Sequence, residues 1–72
     1  MTKEKETELE MAERHVREAE AHVARQEETV QQLRRDGHDT KQAEALLTTF
    51  EATLVEHRRG LDLVRREHAG EL

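Results

Sequence analysis

Apolar and small residues recur along the first half of the chain in alternating steps of three and four. They form the stripe Leu9, Ala12, Val16, Ala19, Val23, Gln26, Val30 and Leu33, in which Gln26 is the one polar member. With Leu9 lettered a of a heptad, Val16, Val23 and Val30 also fall at a, and Ala12, Ala19, Gln26 and Leu33 fall at d. Such a sustained repeat predicts a helix with one packed seam. The second half repeats the pattern with Ala43, Leu47, Phe50, Leu54, His57, Leu61 and Val64, and Leu46 and Thr53 widen that stripe at g. A wider stripe suits a bundle of more than two helices better than a two-stranded seam.

Between the stripes lies Arg34-Arg35-Asp36-Gly37-His38-Asp39-Thr40. Arg34 and Arg35 stand where cations complement a helix dipole. Gly37 is placed to adopt the left-handed conformation that ends helices. Asp39 is placed to cap the next helix, with Gln42 three residues on as its capping-box partner. The predicted helices span about 4–36 and about 40–68, with Gly70 at the fraying end. A connection this short makes the helices antiparallel neighbours. The expected fold class is all-α: one helical-hairpin domain over residues 1–72. Gly60 conflicts with it locally, since a mid-helix glycine costs about 1 kcal/mol against alanine. It permits a close helix approach or a bend, or is a tolerated weak spot.

Charge predicts a register. In an antiparallel pair the e positions of the two helices face each other. The first helix carries Glu13, Glu20, Glu27 and Arg34 there, and the second carries Glu44, Glu51, Arg58 and Arg65. Folding at the turn sets Arg34 against Glu44, Glu20 against Arg58 and Glu13 against Arg65. Only Glu27 with Glu51 is like-charged.

Composition narrows the options. Charged residues make up 40% of the 72 positions, proline and cysteine are absent, and Phe50 is the single aromatic ring. Strong helix formers dominate. One ring cannot anchor a core, and no disulfide can staple so small a fold. Oligomerisation or a partner is the remaining route to stability. Leu46, Leu47, Phe50, Leu54, His57, Leu61 and Val64 are the residues expected to pack the seam or a homodimer interface. In that setting Phe50→Ala is expected to be the most damaging single change. A net charge of −5 disfavours general affinity for nucleic acid. No apolar run approaches membrane-spanning length, and Met1-Thr2-Lys3-Glu4-Lys5 lacks the apolar core of a signal peptide. A cytoplasmic location is the expectation.

Five histidines invite a metal reading. His15 and His22 lie seven residues apart, about 10.5 Å along one helix, too far to share an ion. His57 falls at d, level with residues 16–23, and is expected to fill the seam beside Ala19. Glu18 and Glu56 are expected to point elsewhere. Zinc prefers four ligands, often histidines three or four apart on a helix, and no such pair exists. Catalysis has less support: there is no Cys, Ser or Tyr and no phosphate-binding glycine loop. No catalytic residue, metal ligand or cofactor is expected. The basic cluster Arg58, Arg59, Arg65 and Arg66 is the best nucleic-acid candidate. Its e-position members are expected to pair with Glu20 and Glu13, leaving Arg59 and Arg66 on the outer face without interleaved aromatics.

Two resemblances bear on this. The stretches Ala12-Glu13-Arg14-His15-Val16, His22-Val23-Ala24-Arg25-Gln26, Asp36-Gly37-His38-Asp39-Thr40 and Ala45-Leu46-Leu47-Thr48-Thr49-Phe50-Glu51 together resemble a group of small bacterial helical proteins. That likeness implies a bacterial origin and no particular activity. Met1-Thr2-Lys3, Thr7, Leu9, Met11 and Ala12 resemble the opening of Rop, a plasmid-encoded hairpin that dimerises and binds paired RNA loops. Arg14 stands where Rop carries an aromatic residue of its RNA face, and Glu10 and Glu18 add negative charge. The likeness therefore implies an architecture, a homodimeric four-helix bundle, and not RNA binding. The expected function is a non-catalytic hairpin that self-associates and serves as a small protein-interaction or regulatory module. The alternative is a Rop-like RNA- or DNA-binding hairpin dimer.

Overall fold

The computed structural model describes residues 6–70, which form two α-helices, α1 (Glu8–Arg35) and α2 (Lys41–His68), with no strand among the described residues. α1 begins later than expected. Residues 4 and 5 of the expected helix lie outside the described residues, and Glu6 and Thr7 are not helical. A cap sets the boundary. The Thr7 hydroxyl accepts the Glu10 amide at 3.0 Å, and the Glu10 carboxylate accepts the Thr7 amide at 3.0 Å. This capping box satisfies two amides that the first turn leaves unpaired.

α1 stops at Arg35, one residue short of the expected end. Gly37 takes a φ of 78°, and its amide donates to the Arg34 carbonyl at 3.2 Å while the His38 amide donates to the Leu33 carbonyl at 2.9 Å. These two bonds make a Schellman motif. α2 begins at Lys41, and Thr40 occupies the cap position expected of Asp39. Asp39 still supports the start, because its carboxylate accepts the Lys41 amide two residues on at 2.9 Å. Gln42 takes no part in it.

The helices pack antiparallel. Val16, Ala19, Leu54 and Leu61 form a buried cluster with Leu9, Ala12 and Val23 against it, and Val30 is buried nearer the turn. Leu47, Phe50, His57 and Val64 are half-buried, and Leu46 and Thr53 are exposed. Phe50 is therefore not the fully enclosed ring that its expected dominance requires of a lone hairpin. Gln26, polar in the seam, donates from Nε2 to the Ala43 carbonyl at 2.9 Å. The expected register is present: Arg34 meets Glu44 at 2.6 Å, Arg58 meets Glu20 at 3.2 Å and Arg65 meets Glu13 at 4.0 Å. A Cβ added at Gly60 would meet nothing within 4 Å, so no close approach inside the hairpin demands glycine there.

The result is a single layer. The smallest extent is 13 Å and the radius of gyration is 16.5 Å, where a compact globule of this length has ~11 Å. No side chain among the described residues is fully buried. No described helix is long and apolar enough to cross a membrane.

Far-UV circular dichroism in dilute neutral buffer should be dominated by helix and lost in a cooperative melt; a random-coil spectrum overturns the fold. Thr7→Ala should destabilise the chain by about 1 kcal/mol in urea titration. A shift within experimental error would show that the capping box contributes nothing.

Candidate interaction face

The two flanks of the seam differ in kind. The e flank holds the three interhelix ion pairs, and every interhelix ion pair among the described residues lies there. The g flank presents Glu8, His15, His22 and Thr29 from α1, and Leu46, Thr53, Gly60 and Glu67 from α2. Half of these, Thr29, Leu46, Thr53 and Gly60, carry no ionisable group. The c positions border g on a helix, so they extend the same face. They contribute Met11 and Leu63, and with Leu46 these are 38%, 58% and 44% exposed. Among the described residues, three of the four large apolar side chains left exposed thus share one face; the fourth, Val55, lies at b on the other flank.

Two clefts run along this face. The first, about 230 Å³, is lined by His15, Glu18, Ala19, His22, Phe50, Thr53 and His57. The second, about 270 Å³, shares His15 and His57 and continues to Met11, Ala12, Glu56, Gly60, Val64 and Glu8. Half-buried seam residues form the floor. Large α2 side chains, Phe50 and Val64, stand beside small α1 ones, Ala19 and Ala12, and that size mismatch leaves the seam open here.

His57 shares the first cleft with Ala19, and its ring meets that of His15 with centroids 5.1 Å apart. His22 sits against Phe50 at 5.5 Å. The His22 Nδ1 lies 3.1 Å from an Arg25 guanidinium nitrogen. Guanidinium can only donate, so Nδ1 accepts and the ring proton sits on Nε2. Glu18 and Glu56 do not point away from the histidines, as the sequence led us to expect, but line the clefts. Both sit at c, one step around the helix from g. Each is engaged by an arginine, Glu18 by Arg14 at 3.1 Å and Glu56 by Arg59 at 3.5 Å. The hydrogen bonds that Arg14 donates to Glu6 and then to Glu18 raise its pKa above the ordinary value. Arg14 stays charged throughout the accessible pH range either way.

Among the described residues no group of three or more His, Cys, Asp or Glu side chains converges to hold a metal ion. His15 and His57 offer two ligands where zinc takes four. The outer arginines are not free as expected: Arg59 pairs with Glu56, and Arg66 with Asp62 at 2.8 Å. No family model matches this chain, and no curated protein or solved structure matches it.

Two features had an unread signal. Thr7-Glu8-Leu9-Glu10 is a Thr-x-x-Glu box directly at the first stripe. Lettering the g positions of the first helix as well as the second would have placed His15 and His22 on the face of Leu46 and Thr53. The Arg25 contact to His22 had none, because it depends on rotamers.

Stoichiometric zinc should leave the melting temperature unchanged. A rise of many degrees that His57→Ala abolishes would establish a metal site instead.

Proposed function

We propose that this chain is a non-catalytic helical hairpin that self-associates through its g flank into a four-helix bundle and serves as a small interaction or regulatory module. The observation that carries this reading is the one-layer hairpin whose interhelix ion pairs, among the described residues, lie on one flank while three of its four exposed large apolar side chains, Met11, Leu46 and Leu63, share the other. The chain exposes 5786 Å², where a compact protein of this mass exposes ~4,600 Å². The surplus of ~1,200 Å² exceeds the ~800 Å² that each partner of a standard interface contributes.

A second copy is the occupant that fits best. A two-fold contact is self-complementary by construction. An axis across the face near Thr53 lays the turn end of one hairpin over the open end of the other. Leu46 of one copy then meets the Met11, Leu63 and Val64 region of its mate, and Phe50 lies near the middle on both. Two of the three carboxylates that line the clefts, Glu18 and Glu56, already have arginine partners, so pairing sets few bare like charges together.

Sedimentation equilibrium should find a dimer at micromolar concentration, with a melting temperature that falls on dilution. Phe50→Ala should destabilise that dimer by about 3–5 kcal/mol, the range for a fully enclosed ring, and Leu46→Glu should produce monomers. A wild-type monomer across the micromolar range, with a melting point indifferent to dilution, overturns the bundle. No mobility shift with RNA or DNA is expected even at low salt. A salt-dependent shift would favour the nucleic-acid-binding alternative.

A further inference from the structure

We propose that protonation gates this self-association: His15, His22 and His57 are neutral in the paired state, and charging them drives the two copies apart. The inference rests on the self-association proposed above and adds its regulation. Three of the chain's five histidines line one cleft midway along the hairpin, whereas His38 lies in the turn and His68 at the end of α2. A two-fold axis near Thr53 lays the clefts of both copies against each other, with His22 and His57 nearest the axis, His57 about 6 Å from it along α2, and His15 further out.

Each ring has a reason to resist a proton there. His22 accepts a hydrogen bond at Nδ1 from Arg25, and protonation removes that lone pair and sets two cations side by side. His15 and His57 lie 5.1 Å apart, and pairing takes them out of water, where two positive rings repel most strongly. The other charged groups on the face do not compensate. From α1 these are Glu8, Glu18, Arg14 and Arg25, and from α2 Glu56, Arg59 and Glu67, the last ten residues from His57, about 15 Å along α2. Arg14 engages Glu18 and Arg59 engages Glu56. Glu8 is one heptad from His15, about 10.5 Å along α1. Every proton added therefore raises the positive charge of the face on both copies. Histidine is the side chain whose charge changes in the mildly acidic range.

The test is sedimentation equilibrium of wild type at about pH 7.5 and about pH 5.5, a window in which ordinary carboxylates stay ionised. Far-UV circular dichroism is recorded in parallel. Association should weaken about tenfold per pH unit for each proton that pairing expels. The triple variant His15→Gln/His22→Gln/His57→Gln should stay paired at both values, and His38→Gln/His68→Gln should behave as wild type. If the triple variant fails to fold, His22→Gln alone, at an exposed position, should reduce the pH slope by about two expelled protons per dimer, one from each copy. Equal pairing of wild type at both values overturns the gate and leaves the self-association standing. A wild type monomeric at both overturns the two together. A triple variant that keeps the full pH dependence overturns the assignment to these histidines.

Discussion

The left-handed backbone at Gly37, with φ at 78°, decides which turn of α1 faces which turn of α2. Its amide and that of His38 close the last carbonyls of α1, and Asp39 opens α2 within a few residues. With so short a connection the helices have little freedom to slide. Gln26 then reaches the Ala43 carbonyl across the seam, and Arg34 reaches Glu44. Everything further from the turn inherits this register: Glu20 with Arg58, Glu13 with Arg65, and His15 against His57.

What the register brings together is unevenly matched. α1 offers valine and alanine to the seam, and α2 offers leucine and phenylalanine. Small side chains on one helix cannot wrap large ones on the other, so Leu54 and Leu61 are buried while Phe50 and Val64 are only half so. The exposed ion pairs on the e flank add little energy, ~0.2–1 kcal/mol each. Their effect is directional, since they occupy that flank with long charged side chains and leave the g flank as the place where apolar surface can still be covered. A second layer is how helical proteins complete such a surface.

Polar groups in this structure are satisfied locally. No side-chain nitrogen or oxygen among the described residues is buried without a partner, and Glu18 and Glu56 beside the clefts are held by neighbouring arginines. Part of the charge is neutralised pairwise along each helix, as in Arg66 with Asp62 and Arg14 with Glu18. The histidines of the open face sit ring against ring, His15 on His57 and His22 on Phe50, and Arg25 holds His22.

Much of this architecture was legible in the residues themselves. The three–four spacing of Leu9 to Leu33 and Ala43 to Val64 determined two amphipathic helices, because a helix turns through 3.6 residues and any such spacing lines one face. Gly37 determined the reversal, because few other residues adopt positive φ without strain. The e-position charges determined the register, because opposite charges at matching levels suit one alignment. The start of α1 was misplaced because helical propensity extends to residue 4 while the Thr7 and Glu10 hydrogen bonds end the helix sooner. The side-chain environment belonged to tertiary structure alone. The approach of His57 to His15, the hold of Arg25 on His22 and the inward position of Glu18 and Glu56 depend on which rotamers the packed seam leaves open, and residue spacing carries no rotamer information.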